Sequence, residues 1–246
     1  MEENVKYLVI GSNGGLGKAL CHKLEELNAN YYGTDVNVVE DEVDKRFFRL
    51  PEINYNSDLG KNFFDNVFRK IDMKDEKLYV FNAIGLMLNE ENQKNFKEIQ
   101  NVYMLNLIFP VLLTNYILEF ENINCVHVLS SAQWFPINKF YTYSDSKFLL
   151  YTYLKRLKNS EKGKNRIKYF IPSGFASDMQ SKNNLNYKKL SRMNPDKVAK
   201  LIIRHRKSNS LLRFIGFRSY VMYYTYMILP NFMSTKFVNF LSGKVL

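Results

Sequence analysis

Near the start of the chain an apolar run, with Val5, Tyr7, Leu8, Val9 and Ile10, breaks into Gly11-Ser12-Asn13-Gly14-Gly15-Leu16-Gly17 and continues as Lys18-Ala19-Leu20. This is the pattern of a buried strand that turns sharply into a helix. Glycine permits positive φ and close approach of a ligand to the backbone. The free N–H groups and partial positive charge of the new helix then face an anion such as a diphosphate. A glycine turn can also be no more than a tight connection, so the remaining chain has to supply the rest of a binding site.

Downstream, the pattern alternates strand and helix. A helix is expected over residues 16–27. A second strand through Tyr31 and Tyr32 ends in Gly33-Thr34-Asp35. Asp35 follows the glycine turn at about the spacing that brings a carboxylate to an adenosine ribose. Its two acceptor oxygens suit the 2′ and 3′ hydroxyls and repel a 2′-phosphate, which favours NAD over NADP. The competing role is a turn aspartate at a strand end. A third strand is expected over 46–50, a helix over 62–71, and a fourth strand over 77–82 that ends in Asn82-Ala83-Ile84-Gly85. Strands alternating with helices predict an α/β, Rossmann-like, doubly wound parallel sheet in three layers. Small residues after the fourth strand leave room for a dinucleotide across the strand ends.

A long helix is predicted over 95–120, kinked at Pro110, with Asn106 just before the kink. The fifth strand, 124–129, delivers Ser130 and Ser131 at its carboxyl end, where open α/β sheets bind ligands. Tyr143-Ser144-Asp145-Ser146-Lys147 opens the next helix, and the spacing of four puts Tyr143 and Lys147 on one face. A phenol ordinarily titrates near ~10. An adjacent ammonium favours the phenolate and equips the tyrosine to act as general acid to a carbonyl or general base to an alcohol.

The 246 residues show no internal repeat or low-complexity linker, so one catalytic domain is expected over 1–218, followed by an extension over 219–246. Cys21 and Cys125 lie at apolar-patterned positions and read as buried thiols; no metal site is expected. Glu2 and Glu3 followed at once by a strand leave no room for a secretory signal, and a cytoplasmic protein is expected. From residue 179 onward there are 13 Lys or Arg and one acid, Asp196, or +12; residues 1–178 carry 22 basic and 23 acidic side chains, or −1. Such a basic end suits solvent, a phosphorylated substrate or an anionic membrane. Nucleic acid is disfavoured because no nucleic-acid module motif accompanies it.

Together these motifs resemble the short-chain dehydrogenase/reductase superfamily over roughly residues 4–205. Gly11-x-x-x-Gly15-x-Gly17, Asn82-Ala83-Ile84-Gly85, Ser131 and Tyr143-x-x-x-Lys147 occur in the family's order. The resemblance implies an NAD(P)-dependent oxidoreductase acting on a carbonyl/alcohol pair, with a catalytic tetrad of Asn106, Ser131, Tyr143 and Lys147. In it Ser131 orients the substrate oxygen and Tyr143 exchanges its proton. Lys147 holds the nicotinamide ribose, and Asn106 supports a water that replenishes protons. The family's serine-to-tyrosine spacing selects Ser130 instead; alignment of the strand end and double serine selects Ser131 with a loop one residue shorter.

Where the family has an aspartate near the adenine, this chain has Leu50-Pro51-Glu52. After the sixth strand, 166–171, Ser173-Gly174-Phe175-Ala176-Ser177 keeps the family's glycine and offers Ser177 in place of a threonine that touches the nicotinamide carboxamide. The resemblance also implies a substrate-covering loop over 179–193 and a homodimer or homotetramer. A non-catalytic nucleotide sensor or scaffold is the rival from another class, and it has no use for the tyrosine acid.

Residues 219–235 carry no charge but are interrupted by Pro230 and Asn231, too short an apolar run for a spanning helix. They are expected to pack on a partner subunit, to roof the cleft, or to rest on anionic lipid beside Arg204, Arg206, Lys207, Arg213 and Arg218. The last would suit a hydrophobic or lipid-linked substrate.

Overall fold

The structure, a computed structural model, describes residues 4–38, 44–54, 56–71, 76–89, 95–134, 140–174, 193–208 and 214–228. Its sheet has seven parallel strands: β1 (Val5–Ile10), β2 (Asn30–Asp35), β3 (Phe47–Arg49), β4 (Lys77–Asn82), β5 (Ile123–Val128), β6 (Ile167–Pro172) and β7 (Phe214–Ile215). They lie in the order β3-β2-β1-β4-β5-β6-β7. The order reverses between β1 and β4, and a crevice at the carboxyl ends of these strands is where such sheets take ligands.

Side chains alternate across each strand and build two cores. Leu8 and Ile10 of β1 face one way and join Val80 and Cys125 under α2 (Lys61–Phe68), α4 (Phe109–Ile117) and α5 (Tyr141–Lys158). Tyr7 and Val9 face the other way and meet Leu16, Leu20 and Leu24 of α1 (Gly15–Glu26) with Val198 and Ile202 of α6 (Pro195–His205). Helices cover both faces, which explains why β5 and β6 are buried at every position. α6 is capped locally: the Asn194 side chain accepts from Asp196 N–H at 2.8 Å, with Pro195 in the first turn.

The helix expected over 95–120 has three parts: α3 (Phe96–Tyr103), a π-helical turn (Met104–Ile108) and α4, whose first turn contains Pro110. The widened turn lies just before the proline and holds Asn106, fully buried. The two-residue β7 was not legible, because so short a pairing carries no periodicity. α7 (Phe217–Ile228) starts two residues before the expected extension and turns Met222, Tyr223 and Tyr226 onto the core. Trp134 anchors it, with ring centroids 5.1 Å from Tyr223 and 5.7 Å from Phe214. No helix among the described residues is long and apolar enough to cross a membrane.

Candidate active site

The glycine turn crosses the carboxyl end of β1. Gly11 has φ +88°, and a Cβ on Gly17 would sit 1.9 Å from the Gly11 carbonyl oxygen, so the turn closes onto α1 only with glycines at both places. Gly11 and Ser12 N–H donate to Thr34 O at 2.8 and 3.1 Å, which ties the turn to β2. Gly14 caps α1 without a side-chain partner, and the first turn, Gly15-Leu16-Gly17, carries no acid, leaving the helix start open to an anion. The Ser12 hydroxyl is buried and has no hydrogen-bond partner.

Asp35 ends β2 beside this turn. Its carboxylate accepts from Asn13 N–H at 3.2 Å and Asn37 N–H at 3.1 Å, so it is held in place while keeping acceptor capacity for hydroxyls. A cleft of about 510 Å³, lined by Ser12, Asn13, Lys18, Asn37, Val38 and Phe47 among others, opens next to the two residues that hold it. In place of the absent aspartate after β3, Leu50 is buried and its N–H is spent on Asp35 O at 2.9 Å. At the end of β4, Ala83 N–H donates to Ile10 O at 2.9 Å, so Asn82-Ala83-Ile84-Gly85 leaves the sheet beside the glycine turn. The Asn82 side chain accepts from Ile84 N–H at 3.3 Å and shapes that exit.

Asn106 connects this side to α5. Its Oδ1 accepts from Leu86 N–H at 2.9 Å, while its Nδ2 donates to Leu86 O at 2.8 Å and to Ser146 Oγ at 3.1 Å. Ser146 Oγ in turn donates to the Tyr143 carbonyl at 2.7 Å. The asparagine therefore bonds backbone of a neighbouring segment and braces the turn of α5 that carries Tyr143. One turn further along, Lys147 is buried and its Nζ donates to Val128 O at 3.3 Å. Burial pushes its ammonium down to about 8, so near neutral pH it still carries charge where charge is costly.

The double serine divides its tasks. Ser130 Oγ accepts from Ala132 N–H at 3.2 Å and caps the short 3₁₀ turn Ser131–Gln133, whereas Ser131 begins the turn and is buried. Gln133 is a residue that sequence reasoning passed over. It is 4 % exposed, and neither its amide nitrogen nor its amide oxygen has a partner. Nothing in the sequence pattern distinguishes such a glutamine from a solvated one.

At the end of β6, Ser173 donates from both N–H and Oγ to Ile215 O, at 2.8 and 3.3 Å, and Gly174 O accepts from Met193 N–H at 3.1 Å. Phe175, Ser177 and all of the expected covering loop except Met193 lie outside the described residues. Cys21 and Cys125 are buried free thiols, and burial raises both, Cys21 to about 12. Among the described residues no group of three or more His, Cys, Asp or Glu could hold a metal.

No family model matches the sequence, and no curated protein matches it. Solved structures do resemble it. A short-chain dehydrogenase from Burkholderia cenocepacia J2315 in complex with NADP superposes with a TM-score of 0.70 at 14% identity, over 92% of this chain and 94% of that one. A short-chain dehydrogenase from Streptomyces avermitilis gives 0.70 at 16% identity, over 99% and 100%. A 4-hydroxyisoleucine dehydrogenase complexed with NADH gives 0.66 at 16% identity, over 87% and 96%. The chain therefore has the fold of the short-chain dehydrogenases/reductases.

Proposed function

We propose that this protein is an NAD(P)-dependent oxidoreductase of the short-chain dehydrogenase/reductase type, acting on a carbonyl/alcohol pair. The observation that carries the reading is Tyr143 one turn from the buried Lys147, on a helix braced by Asn106 through Ser146, beside the strand end that presents Ser131. The residues around the glycine turn suit a dinucleotide. The α1 start has no side-chain cap and no acid in its first turn, and the orphaned Ser12 hydroxyl and the oriented Asp35 carboxylate offer further polar partners. When bound, the nicotinamide supplies or accepts the hydride. Tyr143 gives its phenolic proton to the substrate oxygen during reduction and recovers it during oxidation. Lys147, charged and desolvated, favours the ionised phenol and binds the nicotinamide ribose. Ser131 orients the substrate oxygen, a choice supported by the capping bond that Ser130 Oγ accepts from Ala132 N–H. Asn106 holds the frame, and any bond to a relay water comes in addition to the bonds it makes to Leu86 and Ser146.

Asp35 favours NAD(H); Lys18 in the neighbouring cleft keeps NADP(H) the second choice. A cytoplasmic homodimer or homotetramer completes this reading, the oligomer resting on the family likeness of the sequence motifs alone. The test is a spectrophotometric screen of alcohols with NAD and of carbonyl compounds with NADH, repeated with Tyr143→Phe. Turnover abolished by the substitution is expected. Turnover that survives it with little loss contradicts the assignment, and nucleotide binding with no turnover across the screen favours the sensor or scaffold reading.

A second reading concerns where the enzyme works. On α7, Phe217, Tyr220, Tyr224, Met227 and Ile228 are all exposed, Phe217 at 80 % and Ile228 at 74 %, and they share roughly a third of the helix circumference. This apolar stripe belongs to the quarter of the chain with +12 net charge, a combination suited to the surface of an anionic membrane and to a hydrophobic substrate. Sedimentation with phosphatidylserine-containing vesicles at low salt, weakened by Phe217→Ser with Ile228→Ser, is the expected result. Equal indifference to anionic and neutral vesicles removes this reading.

A further inference from the structure

The cross-strand partner of Asn82 in the sheet register is His127 of β5, and it is fully buried. Its Nδ1 lies 3.3 Å from Asn82 Nδ2, and its Nε2 lies 2.8 Å from Thr114 Oγ1 and 3.2 Å from Cys125 Sγ. Thr114 Oγ1 also lies 2.6 Å from Pro110 O, one turn back in α4.

Proton accounting allows one arrangement. Ile84 N–H can only donate, so the Asn82 atom facing it is the oxygen, and the amide nitrogen faces His127. An amide N–H₂ can only donate, so Nδ1 is unprotonated and the ring proton sits on Nε2. Pro110 O can only accept, so it takes the single Thr114 hydroxyl proton, and Thr114 Oγ1 accepts from Nε2–H. Cys125 Sγ is a weak second acceptor for the same proton. A second proton on the imidazole would confront the Asn82 amide with another donor. Burial and the nearby Lys147 charge also oppose it, holding the ring down to about 3.

We infer that His127 is a positioning residue for the nucleotide site: a permanently neutral imidazole that fixes the orientation of the Asn82 amide and ties the β4 exit to α4. This rests on the proposed dinucleotide site. A flipped or unanchored Asn82 would withdraw the acceptor from Ile84 N–H and free the Asn82-Ala83-Ile84-Gly85 backbone to move relative to the glycine turn. An apolar side chain, which would serve the core equally well, could not do this.

Two measurements test the inference. In the wild-type protein, nitrogen-15 NMR of the imidazoles, with the His127 signal identified by its loss in His127→Leu, should show Nε2–H and an unprotonated Nδ1 that do not titrate between pH 5 and 8. A ring that titrates in that range, or carries its proton on Nδ1, overturns the proton placement and the inference with it. The second is a double-mutant cycle on the dissociation constant of the nucleotide that the wild type prefers, NADH or NADPH, read by fluorescence well below each variant's melting temperature. His127→Leu and Asn82→Ala should each weaken binding about 5- to 20-fold, and the double variant no more than the worse single. Unchanged binding in His127→Leu, or losses that multiply, overturns the inference while leaving the dinucleotide site intact. Failure of the wild type to bind either nucleotide overturns the dinucleotide site itself, and the positioning role falls with it whatever the NMR shows. If His127→Leu does not fold, the His127 signal is identified instead as the one that remains in His22→Asn with His205→Asn, and the NMR result decides.

Discussion

Two groups of buried polar side chains near the carboxyl ends of the strands are built on opposite terms. In the first, Asn82, His127, Thr114 and Asn106 have donors matched to acceptors, and the matching spans β4, β5, α4 and α5. In the second, at the Ser131–Gln133 turn and the glycine turn, the Gln133 amide and the Ser12 hydroxyl are equally buried and have no partner. A fully paired network rigidifies what it joins, whereas an unpaired buried group is a standing cost that a ligand can remove. In the function proposed above, the first group is the frame of the site and the second its receiving surface. Lys147 belongs to neither, with one weak bond to Val128 O and a charge held in a desolvated place.

The comparison breaks most visibly at the chemistry. Tyr143→Phe should lower turnover about 10²- to 10⁴-fold while nucleotide affinity stays within about twofold, because the phenol oxygen moves a proton and the ring fills space. An equal loss of nucleotide affinity would assign Tyr143 to the frame.

In the paired cluster, Asn106→Leu should cost about 3 kcal/mol in a denaturant titration, since it strands Leu86 N–H, Leu86 O and Ser146 at once. A cost under ~1 kcal/mol would mean that water replaces the amide and that the cluster is not a closed frame.

Lys147→Met tests the residue that belongs to neither. The folded-state ammonium titrates at about 8, below its ordinary 10.5, so the unfolded chain holds a proton that the folded chain releases between those values. Its penalty is fully present below pH 8 and is relieved as pH rises toward 10.5. Without nucleotide the Met variant should be more stable than wild type below pH 8, by up to about 3 kcal/mol, with the difference vanishing by pH 10.5. Nucleotide binding should weaken in the same variant. A pH-independent difference would show that the lysine is not desolvated.

The smallest effect is expected at the receiving surface. Gln133→Leu should raise the stability of the unliganded protein by about 1 kcal/mol, and loss of stability would reveal a partner for the amide.

Much of this arrangement was legible from local pattern. The glycine turn, the strand bearing Asp35, β4 with its Asn82 exit, and the Tyr143–Lys147 spacing depend on short-range sequence, and each stands within a residue or two of its expected place. The paired network was not legible, because it depends on register. Asn82 and His127 are 45 residues apart in sequence, and only the parallel β4–β5 alignment makes them neighbours. The π-helical turn before Pro110 was missed for a related reason: a proline announces a disturbed helix but not how the disturbance is absorbed. Spacing alone leaves Ser130 and Ser131 as alternatives, and the capping bond that Ser130 Oγ accepts is invisible without backbone geometry.

The central claim, that this fold holds a nicotinamide dinucleotide against Asp35, is tested most directly by titrating the purified protein with NADH and NADPH side by side and repeating the pair with Asp35→Ala. Tighter binding of NADH than NADPH, with the preference relaxed by the substitution, is the predicted result. Binding of neither nucleotide, or a preference that Asp35→Ala leaves untouched, would contradict it.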